Sequence, residues 1–362
     1  MNTGNTNLWD IFCRVIDNYG DIGVCWRLAV GLAARGERVR LWVDDTSALG
    51  WMCPQGAEGV EVKLWTQPIQ TEGLVIGNIL IEAFGCEIDP EFIALYSDWM
   101  NSRGLKGIWI NLEYLSAEGF VERNHGLPSP VMSGPGTGLT KHFFYPGFTA
   151  KTGGLLREAG LAARQAQFDR MGWLQSQGIA LHNERLVSMF CYEPPALDAL
   201  LDHLAADAQP TRLLVTTGRA TAAVKAWIKC KNKFKPSWNK RKKLSFSYLP
   251  ALTQHDFDHL LWACDLNFVR GEDSLVRALW AGKPFVWQIY PQHDDAHHSK
   301  LDAFLNRLNA PPSLRTFHLV WNGVSQATLP TLSLASWQQT VTAARAQQLQ
   351  HDDLVTQIIR FA

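Results

Sequence analysis

The sequence has no surplus of either charge. Thirty-four Lys and Arg balance 34 Asp and Glu over 362 residues, so no chain-wide field draws the protein to nucleic acid or to an anionic membrane. Any basic site has to be local. No apolar run reaches the roughly 18 residues of a membrane span, and the opening MNTGNTNLWDIF has neither a basic n-region nor an apolar h-region. A cytoplasmic protein without membrane contact is expected. Cysteine is scarce and scattered: Cys13, Cys25, Cys53, Cys86, Cys191, Cys230 and Cys264 are odd in number and never spaced C-x-x-C. That spacing excludes a disulfide framework and a zinc finger. Also missing are G-x-G-x-x-G, the dinucleotide fingerprint, and a terminal G-K-[ST] in the superficially P-loop-like stretch Gly134 to Lys141. Bound NAD and a Walker site are thereby disfavoured.

Apolar residues, by contrast, are plentiful at 46%, with 15 Trp and 17 Phe. That is enough for two packed cores, and the length suits two domains. Aromatics at this density fill cores and also line concave sites.

Short β-type runs alternate with amphipathic stretches along most of the chain. Trp9 to Val15 reads as a first strand and Gly20 to Arg35 as a helix closed by Gly36. Strands at 38–43, 60–65, 74–81 and 107–111 follow. A Gly/Pro-rich passage from Pro128 to Gly154 interrupts the series and is read as the domain junction, with a polar helical segment over 155–177 after it. A second series runs strand 186–191, helix 195–206, strand 212–217, helix 220–228, strand 244–249 and helix 254–263. Strand 266–269, helix 273–281, strand 284–289 and helix 295–308 complete it. The expected fold is therefore α/β, with two Rossmann-like domains, 1–153 and 180–330, facing a central cleft. The final amphipathic stretch, 334–362, packs on either lobe.

Ligands of open α/β sheets bind beyond the carboxyl ends of the strands. After the first strand lies Ile16-Asp-Asn-Tyr-Gly-Asp-Ile-Gly23, where Asp17 and Asp21 flank a glycine. Glycine lets the backbone turn tightly and approach a ligand, and a carboxylate near a helix start is stabilised as the anion. Such a carboxylate serves as a base, or merely caps the helix. In the second series Arg270-Gly-Glu-Asp-Ser274 opens a helix whose free amides suit a diphosphate, with Ser274 as an added donor. Glu272 and Asp273 would repel phosphate there, so at least one must face hydroxyls or a cation; an ordinary acidic first turn is the alternative. Two further features invite chemistry. His293-Asp-Asp-Ala-His-His298 has a metal-like composition but no third ligand at a recognisable distance. Lys225 to Lys243 holds nine basic residues and no acid, with Trp227, Phe234 and Trp238 interleaved, the composition of a single-strand nucleic-acid groove or of a solvated helix end.

Two Rossmann-like lobes, one with a nucleotide-type site and one with paired carboxylates, make the plan of GT-B glycosyltransferases. Three segments sharpen this: Asp17-Asn-Tyr-Gly-Asp-Ile-Gly-Val-Cys-Trp-Arg27, Tyr145-Pro-Gly-Phe148 with Thr152-Gly-Gly-Leu155, and Arg270-Gly-Glu-Asp-Ser-Leu-Val-Arg-Ala-Leu-Trp-Ala-Gly-Lys-Pro284. Together they closely resemble the protein-arginine rhamnosyltransferase family that modifies one arginine of translation elongation factor P, over nearly the whole chain. The resemblance implies inverting, metal-independent transfer of rhamnose from dTDP-β-L-rhamnose to a guanidinium nitrogen, which activates elongation factor P to rescue ribosomes stalled at polyproline. No cofactor is implied. Carried onto this sequence, it makes Asp21 the general base, Asp17 a partner carboxylate and Glu272 a further essential carboxylate, with Asn18, Tyr19 and Gly20 at the substrate. Asp273 and Ser274 would serve the diphosphate end. Phe190 and Phe257 would stack on thymine, with Tyr192, Gln254, Arg270 and Tyr290 nearby. The basic run matches no motif of the family. Two competitors remain: a GT-B enzyme with another nucleotide sugar or acceptor, and a non-catalytic RNA-associated protein that uses the run at 225–243.

Overall fold

The computed structural model describes residues 7–16, 19–105, 107–291 and 296–362. The chain forms two compact units, Met1–Glu158 with Gln350–Ala362, and Ala159–Leu349.

Unit 1 contains β1 (Leu8–Cys13), α1 (Gly20–Ala33), β2 (Arg38–Val43), α2 (Leu49–Met52), β3 (Val60–Leu64), β4 (Ile79–Ala83), α3 (Pro90–Ser102), β5 (Ile108–Leu112), α4 (Gly119–Asn124), β6 (Pro128–Pro130) and β7 (Thr140–Phe144). Its sheet runs β3-β2-β1-β4-β5-β7-β6, parallel except where β6 meets β7. β1 reads as a nearly continuous apolar run because both sheet faces are covered. Trp9, Ile11 and Cys13 face α1, while Phe12 faces the other layer, stacked on Trp42 at 5.5 Å and edge-on to Phe92 at 4.7 Å. Burying each such side chain contributes roughly 1.5–3 kcal/mol. The one acid of β1, Asp10, is buried and fully engaged: it accepts from Arg40 Nε and Nη2 at 2.7 Å each, from Trp42 Nε1 at 2.8 Å and from the Gly77 amide at 3.0 Å. A buried carboxylate is tolerable only when satisfied in this way.

Unit 2 contains α5 (Leu161–Ala166), α6 (Arg170–Ser176), β8 (Arg185–Met189), α7 (Leu197–Ala206), β9 (Thr211–Val215), α8 (Arg219–Phe234), β10 (Leu244–Tyr248), α9 (Gln254–Ala263), β11 (Leu266–Arg270), α10 (Gly271–Ala281), β12 (Phe285–Gln288), α11 (Ala296–Arg307), α12 (Pro312–Trp321) and α13 (Leu334–Gln348). The sheet is all parallel in the order β10-β9-β8-β11-β12. α10 is tied to α9 by Arg277, whose Nε and Nη2 reach Asp258 at 2.7 and 2.6 Å in full burial. His318 on α12 is also buried: its Nε2 accepts from the Trp287 amide at 3.0 Å, and its Nδ1 lies 3.0 Å from the Leu314 carbonyl. Burial pushes its pKa down to about 4, so the ring is neutral in the folded protein.

Among the parallel strands of each sheet the order reverses once, between β1 and β4 in unit 1 and between β8 and β11 in unit 2. Those are the topological switch points, where the crevice beyond the strand ends is open to a ligand.

Several sequence boundaries move. The Gly/Pro-rich passage read as a junction instead supplies β6 and β7, the far edge of the first sheet; prolines are tolerated on an edge strand because no ladder hydrogen bond is lost. The polar segment 155–177 is two short helices, α5 and α6, with Asp169 capping α6 through the Gly172 amide at 3.0 Å. β4 begins at Ile79, later than the expected 74. The stretch 334–362 divides as well. Its first half is α13, where Trp337 packs edge-on to Phe317 of α12 at 5.2 Å. The C-terminal helix Leu354–Phe361, capped by Asp353, belongs to unit 1 and lies against α1. Gly31 makes that approach possible, since a Cβ there would sit 2.7 Å from Val355 Cγ2.

Candidate functional site

Each unit places a strand-to-helix turn at its switch point. In unit 1 the turn between β1 and α1 carries the DNYGDIG segment. Asp17 and Asn18 lie outside the described residues. Asp21 sits in the first turn of α1, 5% exposed, and its Oδ2 accepts from the Ile16 amide at 3.2 Å. Beneath it the Cys13 thiol is pushed well above its ordinary pKa, first by its hydrogen bond with Cys25, then by burial, with the negative charge of Asp21 adding to the effect. Cys13 therefore stays a thiol and leaves the anionic role to the carboxylate. Tyr19 is 46% exposed and meets Trp51 edge-on at 5.1 Å. Gly20 does not make the strained turn expected of it. It opens α1 without a positive φ, and a Cβ there would meet nothing within 4 Å.

In unit 2 the sheet brings together residues far apart in sequence. Phe190 follows β8, and its amide donates to the Phe268 carbonyl of neighbouring β11 at 3.0 Å. Arg270 ends β11. Its guanidinium carbon lies 4.6 Å from the Phe190 ring centre and 4.5 Å from that of Tyr192. A planar cation stacked on two rings is held in a defined orientation. Phe257, on α9, meets Phe190 edge-on at 5.2 Å, and Tyr290, just past β12, meets Tyr192 at 5.6 Å. Gln254 opens α9 one turn before Phe257, so both lie on the same helix face. Tyr192 is 3% exposed, and its amide donates to Gln288 Oε1 at 2.8 Å. Thus Phe190, Tyr192, Phe257, Arg270 and Tyr290, expected as one pocket, do form one linked cluster.

Gly271 starts α10 with φ +63, a left-handed conformation that favours glycine. The Ser274 hydroxyl accepts from the Arg270 amide at 3.0 Å and donates to the Arg270 carbonyl. Its expected role as a phosphate donor therefore requires it to exchange partners. Glu272 and Asp273 fill the first turn of α10, and Glu272 is met by the Lys300 ammonium from α11.

Three residues in this neighbourhood were invisible in the sequence reading. Lys300 is one more lysine on a polar helix face. Arg219 lies over the Tyr192 ring at 4.9 Å and makes a bidentate pair with Glu193, whose carboxyl is held below the usual range chiefly by that hydrogen bonding. No spacing rule links 193, 219 and 300; only the sheet does. Beneath them burial raises the Cys191 thiol to about 12, so it is no nucleophile at neutral pH.

The remaining candidates separate from these sites. In the basic run, Trp227 is buried and Trp238 packs on it at 4.8 Å, with Trp238 Nε1 donating to Asn232 Oδ1 at 2.8 Å. Lys231 pairs with Asp202 at 2.6 Å. Two of the three interleaved aromatics are consumed by the protein's own packing, and only Phe234, at 73% exposure, faces solvent. Of the histidine-rich string, residues 292–295 lie outside the described residues. Among the described residues no cluster of three or more His, Cys, Asp or Glu is placed to hold a metal ion, and no helix is long and apolar enough to cross a membrane.

A model of the elongation factor P (EF-P) rhamnosyltransferase EarP family matches residues 9–362. The chain belongs to that family. It is 42% identical to the protein-arginine rhamnosyltransferase of Pseudomonas aeruginosa and 43% identical to that of Pseudomonas putida, covering 98% of both chains in each case. The corresponding protein of Neisseria meningitidis serogroup B is 34% identical over 85% of this chain and 80% of its own. A solved structure, described as the structural basis for EarP-mediated arginine glycosylation of translation elongation factor EF-P, superposes with a TM-score of 0.66 at 31% identity, covering 98% of each chain. Family membership fixes the class of enzyme as a glycosyltransferase and agrees with the two-lobed GT-B expectation.

Proposed function

We propose that this protein transfers rhamnose from dTDP-β-L-rhamnose to one arginine of elongation factor P, with inversion at the anomeric carbon and without a metal ion. The reading rests on one observation above all: a buried carboxylate occupies the switch point of one sheet, and a guanidinium held on aromatic rings occupies that of the other. The first suits a cationic acceptor and the second an anionic nucleotide. The acceptor identity is supported by the family, described as acting on elongation factor P, and by the solved relative, and the donor by the resemblance of the Arg270–Pro284 segment.

Arginine is protonated at physiological pH, with a pKa of about 12.5 or more, and its nitrogen lone pairs are delocalised. It is a poor nucleophile until one nitrogen is oriented and loses a proton as the new bond forms. Asp21, with Asp17 beside it in sequence, accepts hydrogen bonds from the guanidinium, and Asp21 takes that proton. The guanidinium nitrogen bonds to the anomeric carbon from the face opposite the leaving group. The bond from that carbon to the diphosphate oxygen breaks, and dTDP departs with the electron pair. Its growing charge is met by the positive end of the α10 dipole and by nearby cations, so no Lewis acid is needed. Phe190 and Phe257 present ring faces and edges for thymine, and Gln254 offers an amide to its polar rim.

The test is the intact mass of elongation factor P after incubation with this protein and, separately, dTDP-rhamnose, UDP-sugars and GDP-sugars, with and without EDTA. One deoxyhexose on a single arginine, from dTDP-rhamnose alone and unaffected by EDTA, is expected. Modification from another nucleotide sugar only, or none at all, would overturn the proposal.

A further inference from the structure

The basic run at 225–243 stands apart from both switch points, and folding gives it an order that its composition does not show. Trp238 packs on Trp227 of α8 and lies 6.4 Å from Phe246 of β10, so the segment after α8 is clamped between helix and edge strand. The following turn is closed by Asn239, whose side chain donates to the Leu244 carbonyl at 2.6 Å and accepts from the Leu244 amide at 3.2 Å. The cations therefore stand on a fixed frame. Lys225, Lys229 and Lys233 recur every four residues on α8 and share one helix face about 12 Å long. Lys240, Arg241 and Lys242 occupy the turn into β10. All six are exposed, and among the described residues none of them has an ion pair; the pair with Asp202 belongs to Lys231. No acid occurs from Arg219 to His255. Like charges one helical turn apart repel, and Lys242 holds a left-handed backbone (φ +48) that glycine adopts at less cost. The helix dipole accounts for cations in the last turn, Lys231 and Lys233, but not for Lys225, Lys229 or the turn. Because the chain has no net charge, this concentration leaves the remainder acidic and makes the positive field local.

Exposed rings lie among these cations. Phe234 is 73% exposed, with the Lys233 ammonium 5.0 Å from its ring centre, and Tyr248, at the end of β10, is 41% exposed, with Lys225 at 5.0 Å. Folding thus brings to the patch a ring from outside the run. Cations for phosphates beside exposed rings for bases are the two parts of a single-strand nucleic-acid surface. An acidic polypeptide would use the charge and leave the rings idle. We propose that the α8–β10 edge of unit 2 binds single-stranded RNA, a second function independent of the donor and acceptor readings above. Lys225, Lys229, Lys233 and the cations at 240–242 meet phosphates, and Phe234 and Tyr248 stack on bases. An ammonium is a point charge without the planar fork that reads a base edge, so binding tolerates any sequence.

Fluorescence anisotropy of a labelled, mixed-sequence RNA strand of about 12 nucleotides, titrated with the full-length protein at about 0.15 M salt, tests this. A Kd on the order of 10 µM or tighter is expected, with a log–log salt slope of about −3, given about −0.7 for each phosphate neutralised. Lys225→Gln/Lys229→Gln/Lys233→Gln and Lys240→Gln/Arg241→Gln/Lys242→Gln should each weaken binding ~10-fold or more and flatten the slope by about 2. Phe234→Ala/Tyr248→Ala should weaken it ~5-fold or more and leave the slope unchanged, which a charge-only contact would not produce. Unfolding midpoints and sugar transfer to elongation factor P should match wild type in all three variants, which shows that they fold. No binding at about 100 µM protein, or wild-type affinity in both lysine variants, would overturn the proposal. Wild-type affinity in the ring variant, or competition by poly-glutamate at equal charge, would overturn it in favour of an acidic polypeptide.

Discussion

Helices α1 and α10 each begin at the switch point of a parallel sheet, and each opens on a glycine followed by an acid, Gly20-Asp21 and Gly271-Glu272. From the same device they present opposite chemistry. At α1 the acid is buried, accepts a hydrogen bond from the Ile16 amide and lies near the Cys13 thiol, whose pKa is raised so that it stays uncharged. At α10 the acid is answered by Lys300 and flanked by the ring-stacked Arg270. The glycines differ in the same sense. Gly20 opens its helix without a positive φ, whereas the positive φ of Gly271 turns the chain from Arg270 into α10. A helix start is therefore not an anion site by default. The side chains brought to it from other elements decide which sign of ligand it accepts.

Breaking the comparison on the α1 side should have the largest effect. Asp21→Asn keeps an oxygen for the Ile16 amide but removes the base, and transfer to elongation factor P should fall at least ~100-fold, while dTDP affinity stays within ~2-fold of wild type. Rate and affinity measured on one preparation check both halves. Parallel loss of the two would mean that the carboxylate serves folding or donor binding. On the α10 side the effect is smaller. Arg270→Ala removes one charge and two cation–ring contacts, each worth roughly 0.5–2 kcal/mol, so dTDP affinity should drop on the order of 10- to 100-fold, with KM for the acceptor protein unchanged. A shift confined to the acceptor KM would assign Arg270 to the wrong ligand.

The alternation of β1, α1 and β2, and of almost every element from β8 to α11, was legible because buried parallel strands leave continuous apolar runs and the covering helices show 3.6-residue periodicity. The passage 128–154 was not. Its prolines and glycines carry the composition of a linker, and only pairing with β5 shows that β7 belongs to the sheet. The split of 334–362 was equally hidden, since the C-terminal helix is strongly amphipathic and α13 is not, and nothing local says which unit each covers. The site divides along the same line. Asp21, Arg270 and Ser274 stand at turns after strands, where position alone announces a role. Phe190, Phe257 and Tyr290 came from the family resemblance, and the sheet joins them into one cluster. Lys300 and Arg219 had no local signal, because their partners come from other elements, Glu272 on α10 and Tyr192 after β8. The basic run left a binding groove and a solvated helix end open; Trp227 and Trp238 pack on each other and Phe234 faces solvent, which leaves one exposed aromatic among the lysines.

The central claim is a division of labour, with the acceptor handled at the start of α1 and the nucleotide at the start of α10. Hydrogen–deuterium exchange of the full-length protein with each ligand alone tests it most directly. The account predicts that dTDP slows exchange at the segments around Phe190, Phe257 and Arg270–Ser274 and leaves the first turn of α1 unchanged, while elongation factor P without donor protects the Tyr19–Gly23 amides. Protection of the α1 start by dTDP, with none at Arg270–Ser274, would contradict it.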